Sequence, residues 1–584
     1  MKGWFYYLPL LTCLVLSLHV NAQSWQWAKR GGGNIGKGTG IDDFISNIAT
    51  DTKGNSYVLA QVYSSILSGT IDIDGHNLGS GYDDNDVCLV SFDCAGNYRW
   101  SKMMGGRYSD NAYDIKTDAR GGVYVSCFLN AANPKDSFSI ANDTVVHAPT
   151  TPPYVLYKGF VVLKYDTAGV FQWMRMPEPD TLSTSNGSAS FSMDVSDDGR
   201  LSLLLYAGSS GAFAGGGYVI PVGTPMPSMH ILQYDADGNF INGFPLQITE
   251  GDNATLSRLQ LTWDKTFNAF YLLSTNGGEP GRILPKFGTT KMTGTACLAK
   301  FSSSGTCYWA QQCSGVFYTN NPGSKPAVDK DGYVYIGFSD APGTSFGGYT
   351  FTNTLSGPAM PSVLKIDPST GAVVWGFNVN CTKGVATGSI AINDKNQVAF
   401  CGNGLGTIQC GSYTATATPT SVAVFMAVLN TTDGSVAGFD TLQPSSTVPN
   451  IMTSDANGNF YMGGTINSSV TVPGCGTLSK FGGSTDFFFV KYGTADCSST
   501  AVTALPPIAA LSVYPNPAHD YLMLSGCRSG GKVSLLNTLG QLLYSGTTAA
   551  SELQLPLGTF VPGIYLLQYT DAEGHISSYK VIKE

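Results

Sequence analysis

Five histidines lie beyond the N-terminal leader: His76, His147, His230, His519 and His575. No two of them take the H-E-x-x-H spacing or another paired ligand spacing, so structural roles are expected for all five. No G-x-S-x-G nucleophile elbow is present. The glycine clusters Gly31–Gly33 and Gly215–Gly217 lack the Lys-Ser/Thr and the following helix that a phosphate cradle needs. Two acidic runs, Asp72-Ile73-Asp74 and Asp83-Asp84-Asn85-Asp86, offer the oxygen ligands that calcium takes. Neither follows the known calcium-loop spacing, and solvated loops are the expectation. The sequence therefore predicts no catalytic residue, no metal site and no cofactor that its motifs could name. Paired carboxylates for glycoside hydrolysis depend on a separation across a pocket, which spacing along a chain does not reveal.

Cysteine chemistry points to the compartment. Of 13 cysteines, Cys13 lies in the leader, leaving an even number compatible with disulfides in an oxidising environment. By proximity along the chain the candidate pairs are Cys307 with Cys313 and Cys401 with Cys410. Cys88 and Cys297 head matching strands (CLVSF and CLAKF) and are expected to point into a core.

The leader begins Met1-Lys2-Gly3, continues as an apolar run from Trp4 to Val20 and ends Val20-Asn21-Ala22. One positive charge, a short apolar core and a small residue before the cut describe a secretory signal peptide over 1–22, cleaved between Ala22 and Gln23. A membrane anchor fits less well, because the run holds Pro9 and His19 and has no basic stop-transfer flank. A lipoprotein signal ending at Cys13 fits poorly, with Thr12 before it and apolar sequence after it. No later segment is long and apolar enough to span a membrane as a helix.

Only 12% of the chain is charged, yet 11% is aromatic, so the low charge does not signal disorder, which pairs few aromatics with high net charge. The formal charge of −9 argues against a nucleic-acid partner, which calls for a basic surface. What remains is a Gly-rich β protein.

Its organisation is a repeat. Asp51-Thr-Lys-Gly-Asn-Ser-Tyr57-Val returns at Asp118–Val125, Asp329–Ile336 and Asp455–Met462, with weaker copies at Ser196, Asp264 and Asn393. Each copy has a second half, such as Phe92-Asp93-Cys-Ala-Gly96 leading to Trp100, or Tyr165-Asp166-Thr-Ala-Gly169 leading to Trp173. Every unit reads as four short strands: A, tight turn, B, long loop, C, tight turn, D. In the turns Asp bonds nearby backbone N–H groups and Gly supplies positive φ. Alternation of period two marks half-buried strands. Four-stranded sheets repeated radially make a β-propeller. The seventh copy lacks a Trp-bearing strand D, and Trp25-Gln-Trp27-Ala-Lys-Arg at the mature N-terminus resembles Tyr98-Arg-Trp100-Ser-Lys-Met. The expectation is all-β: a seven-bladed β-propeller over 23–497, closed by the N-terminal strand, which removes two open sheet edges.

The repeats resemble bacterial β-propeller repeats with a D-x-x-G-N-x-Y-V signature, here Asp51 to Val58. That resemblance implies the fold and little about chemistry. A Pro-bearing linker, 498–507, then leads to a module over 508–584 that reads as a small Ig-like β-sandwich. Its Tyr514-Pro515-Asn516-Pro517, Asn537-Thr-Leu-Gly540-Gln541, Pro562-Gly563-Ile-Tyr565 and basic end occur in order. They resemble the type A C-terminal sorting domain of Bacteroidota type IX secretion. The resemblance implies export by that machinery, removal of the tail, and a product that is secreted or attached to the outer-membrane surface.

Tight A–B and C–D turns share one face, so length variation falls on the other, where repeat proteins usually carry binding. The D–A connections there hold Asp42, Asp43, Tyr108, Asp110, Asn111, Glu250, Asp252, Tyr318, Asn320 and Asn321. Such rings, amides and carboxylates suit sugar hydroxyls. Two functions stay open: a non-enzymatic adhesion module for extracellular glycan or protein, which is preferred, and an enzyme degrading extracellular polysaccharide or protein at the channel mouth. Loop acids converging in a pocket would favour the second. A closed ring needs no partner, so a monomer is expected.

Overall fold

Asp51 shows how the repeat builds itself. Its Oδ1 accepts the backbone N–H of Lys53 and Asn55, both at 2.9 Å. Its Oδ2 accepts Asn55 Nδ2 and the Tyr57 hydroxyl, both at 2.8 Å, while Gly54 turns the chain at φ 76°. Tyr124 on Asp118, Tyr335 on Asp329 and Tyr461 on Asp455 repeat the phenol–carboxylate bond at 2.9 Å. The tyrosine of the signature is thus a buried prop for the turn before it.

The computed structural model describes residues 23–36, 43–64, 69–131, 137–141, 143–147, 157–175, 189–207, 212–213, 217–221, 224, 228–249, 256–276, 284–315, 317–318, 325–341, 343–351, 360–417, 422–445, 448–494, 497, 512–527, 530–537, 542–570 and 576–584. They are strands and turns throughout, in two compact units, Met1–Ser499 and Thr500–Glu584. Ala22, on the amino side of the expected cleavage, lies outside the described residues, and Gln23 is the first residue inside them.

In the first unit the repeats fold into antiparallel A-B-C-D sheets. The first sheet runs Phe44–Thr50, Ser56–Ser64, Asp84–Phe92, Tyr98–Gly106. The seventh runs Val448–Ser454, Phe460–Ile466, Asp486–Gly493, and its fourth strand is the N-terminal Ser24–Gly33, paired from Ser24↔Gly493 to Gly31↔Phe487. Most A strands carry a β-bulge at the same place, as between Ile45 and Asn47 or Ala112 and Asp114. Such bulges re-aim the side chains that follow.

Sheets are tied to their neighbours by one recurring device. Trp100 Nε1 of the first sheet donates to the Thr167 carbonyl in the C–D turn of the second at 3.0 Å. Trp173 and Lys164 both donate to Ala236 O of the third, Trp309 and Lys300 to Pro368 O of the fifth, Trp375 and Lys365 to Thr431 O of the sixth. Trp27 and Lys491 of the seventh donate to Cys94 O of the first, at 3.1 and 3.0 Å. The glycine two residues beyond Cys94, Gly96 (φ 84°), lies against the Trp27 ring, where an added Cβ would come within 2.8 Å of it.

Among the described residues the long B–C connections hold small hairpins, and several pair with strand D of the preceding sheet. Ile71–Ile73 adds to Gly31–Gly33, and Ser137–Ile140 adds to Met104–Gly106. The acidic run on the first of these hairpins is spent on ion pairs: Asp72 with Arg30 at 2.6 Å and Asp74 with Lys29 at 2.8 Å.

Disulfide pairing differs from the sequence expectation. Cys94 and Cys497 are bonded across a separation of 403 residues. Cys307 and Cys313 share the single strand Cys307–Ser314, and Cys401 and Cys410 share Gln397–Cys410. At about 3.3 Å per residue those pairs stand roughly 20 and 30 Å apart, far beyond disulfide reach. Cys88 and Cys297 are buried in the core, as their strands require.

In the second unit a three-stranded sheet (Ser512–Tyr514, Tyr521–Ser525, Glu552–Pro556) and a four-stranded one (Lys532–Asn537, Leu542–Thr547, Gly563–Thr570, Ile576–Lys583) share a core of Leu522, Leu524, Val533, Leu535, Leu567 and Val581. Asn516 clamps the last strand: its Nδ2 donates to Lys580 O at 2.7 Å and its Oδ1 accepts Ile582 N–H at 2.9 Å. Tyr565 donates its hydroxyl to Val561 O at 2.5 Å, beside the exposed Pro562 and Gly563. Tyr514 is exposed; Gly540 and Gln541 lie outside the described residues.

Candidate functional site

Among the described residues, the A strands of successive repeats contribute to one cavity of about 520 Å³. Counted back from the turn residue of each repeat, its wall takes residues at positions −4 and −2: Asn47, Lys325, Ser389 and Ile451 from the first, Lys116, Asp194, Thr262, Ala327, Ala391 and Thr453 from the second. Its rim lies at the A–B turns, with Asp197, Lys265, Lys330 and Asp394.

Hydrogen bonds stitch the wall together. Thr117 donates to Thr50 O at 2.6 Å, Thr50 to Ser454 O at 2.7 Å and Ser454 to Ile392 O at 2.5 Å. Thr262 donates to Pro326 O at 2.6 Å. Asp194 accepts the N–H groups of Val195 (2.8 Å) and Trp263 (2.9 Å). Asp114, buried at position −4 of the second sheet, accepts Asn47 Nδ2, Ile115 N–H and Met193 N–H. Lys325 of the fifth repeat reaches this carboxylate and the Met193 carbonyl of the third sheet, forming an ion pair with Asp114. Burial pulls the Lys325 ammonium below the ordinary lysine range, and the Asp114 carboxylate opposes that shift.

None of the described residues predicted for the loop face lines this cavity. Asp43 is fully buried and its carboxylate accepts Gly33 N–H and Tyr63 N–H, both at 2.6 Å. Asp110 repeats the arrangement one sheet on, accepting Gly106 N–H at 2.8 Å and Asn130 N–H at 2.7 Å. Each therefore pins strand D of one sheet to strand B of the next. Tyr108 and Asn111 are half-buried beside Asp110. The backbone of Tyr318 pairs with Ser339. Asp42, Glu250, Asp252, Asn320 and Asn321 lie outside the described residues.

Two carboxylate pairs do converge. A Cβ on Gly32 would lie 2.5 Å from Asp486 Oδ1 and 2.9 Å from Asp43 Oδ2; one on Gly105 would overlap Asp86 Oδ1 and lie 2.8 Å from Asp110 Oδ2. All four acids are buried, and the gap between partners lacks space for a methyl group. Burial raises Asp110 to about 8, helped by Asp86 and Asp84 and opposed by its two N–H donors. Burial likewise raises Asp486 to about 6, against Phe481 N–H and Arg30.

A pH effect follows. The folded state keeps a proton on Asp110 that an unfolded chain gives up near pH ~4. The stability from this group is complete below that pH and is lost as pH rises through about 8. Thermal melts are expected to weaken between pH 5 and pH 8, and Asp110→Asn to flatten that slope; an unchanged slope in the variant would refute the assignment.

Among the histidines, His230 is buried between Tyr218 OH on Nδ1 (2.8 Å) and Ser228 Oγ on Nε2 (2.7 Å), and burial lowers it to about 4. His76 stacks on Tyr98 with ring centroids 4.0 Å apart. Among the described residues no group of three or more His, Cys, Asp and Glu is placed to hold a metal ion.

Comparison with known proteins identifies one part of the chain. Residues 512–584 match the secretion system C-terminal sorting domain. The match implies export through type IX secretion to the cell surface or the extracellular space. No curated protein matches the chain. Among solved structures, a protein of unknown function from Bacteroides caccae is 9% identical with a TM-score of 0.31, covering 62% of this chain and 91% of its own. Quinohemoprotein alcohol dehydrogenase from Comamonas testosteroni is 11% identical with a TM-score of 0.31, covering 77% and 76%. PorZ, a surface component of the type IX secretion system of Porphyromonas gingivalis, is 11% identical with a TM-score of 0.17, covering 92% and 81%. All three superpose weakly.

Proposed function

We propose that this chain is an exported seven-bladed β-propeller, closed by its N-terminal strand, that binds extracellular glycan or protein without transforming it. The observation carrying the binding reading is a cavity to which, among the described residues, the A strands of successive repeats contribute. Rings of this kind take ligands where their central strands converge. Inter-sheet bonds that run through successive sheets and return from the seventh to the first support the closed ring. The buried acids that converge on Gly32 and Gly105 leave no space there even for a methyl group, which favours capture over hydrolysis at those pairs. In this reading Tyr108 and Asn111 supply contacts at the mouth opposite the tight turns, and the protein acts as a monomer.

The test is a glycan array probed with the mature chain Gln23–Glu584, with supernatants assayed for released products. Saturable binding without product is expected; product release would replace the reading with an enzyme. Export has its own test. Deleting 512–584 is expected to leave the first unit folded but retained inside a host that carries the secretion system, and normal export of the truncated chain would remove the tail's role.

A further inference from the structure

We infer that the cavity selects a carboxylate-bearing sugar, a uronic acid, with Lys116 as the residue that receives the carboxylate; this rests on the cavity being the ligand site. The charged residues of the wall and rim are otherwise committed or open to solvent. Lys325 is spent on Asp114, and Asp194 on two backbone N–H groups. Lys265 pairs with Asp197 at 2.5 Å and Lys330 with Asp331 at 3.1 Å. Asp329 holds its own turn, and Asp394 is exposed at the rim.

Lys116 differs from these. It sits half-buried on the cavity wall, at position −2 of the second repeat, and no hydrogen bond or ion pair engages it among the described residues. Lys116 and Lys325 both line the cavity; the Lys116 charge opposes the charged form of Lys325, and the Asp114 and Asp194 carboxylates favour it. An anion placed at Lys116 gains one free ammonium with three donors, while Lys325 stays paired with Asp114. The wall also presents the hydroxyl residues Thr262, Ser389 and Thr453, which can bond sugar hydroxyls, beside apolar residues such as Ile451 that can pack on a ring face. A volume of about 520 Å³ accommodates one or two sugar rings.

Titration calorimetry on the mature chain would compare D-galacturonate with D-galactose, and D-glucuronate with D-glucose, pairs that differ only at the carboxylate. The acids are expected to bind about tenfold tighter, equivalent to about 1.4 kcal/mol. Lys116→Met is expected to erase that preference at unchanged thermal stability, and Lys116→Arg to retain it. Equal affinity for acid and neutral sugar in the wild type, or a preference that survives Lys116→Met, would overturn the role of Lys116 while leaving the cavity as a sugar site. Binding of none of the four sugars would overturn both.

Discussion

A mature chain lacking Ser24–Gly33 is expected to lose its cooperative unfolding transition, and Trp27→Ala alone to cost about 3–5 kcal/mol. The strand is bonded on both edges, to Phe487–Gly493 on one side and to the hairpin strand Ile71–Ile73 on the other. Removing it exposes two rows of unpaired backbone groups at once. Trp27 is buried against Phe92, Tyr461 and Phe489, with ring centroids 6.5, 5.9 and 5.1 Å away, and its indole N–H is the bond to Cys94 O. Arg30 adds a link to both neighbours, Asp72 and Asp486. Urea denaturation of the deletion and of Trp27→Ala, with Val145→Ala at an exposed site as the control, would measure this. A deletion that melts like the parent chain would rule out closure by this strand.

Breaking the Cys94–Cys497 bond is the second large effect. The bond joins the C–D turn of the first sheet to the segment just after the last strand of the seventh. It spans nearly the whole repeat array, so it withholds much chain entropy from the unfolded state; a cost of about 2–4 kcal/mol is expected for Cys497→Ser. The same Cys94 residue offers its carbonyl to Trp27 and Lys491, so the disulfide and two hydrogen bonds from the seventh sheet meet at one turn. Reductant is expected to lower the melting temperature of the parent chain and to leave Cys94→Ser/Cys497→Ser unchanged. Equal sensitivity of both would place the reducible bond elsewhere.

Much of this architecture was legible along the chain because its causes are local. Asp51 and Gly54 carry their turn within a few residues, and Tyr57 reaches back only six, so the repeat announces itself in sequence. The sorting motif is legible for a related reason: Asn516 and Tyr565 serve fixed backbone positions within one small module. The cavity was hidden by a choice of face. The polar loop residues lie on the variable side, whereas alignment of the repeats on the turn residue puts Lys116 and Asp194 at position −2 and Lys325 at position −4. Polar residues in otherwise apolar A strands were the available signal.

The sequence by itself determined the strand and turn period, the export tail and the need for a fourth strand in the seventh sheet, since each depends on backbone chemistry within a few residues or on composition. Only the tertiary structure decided which carbonyl each tryptophan meets, that Cys94 finds Cys497 rather than a nearer thiol, that Asp43 and Asp110 are buried pins and not displayed ligands, and that Lys116 faces a shared cavity without a partner among the described residues. These depend on groups brought together from distant repeats, and distance along a chain carries no information about which of many equivalent donors and acceptors will meet.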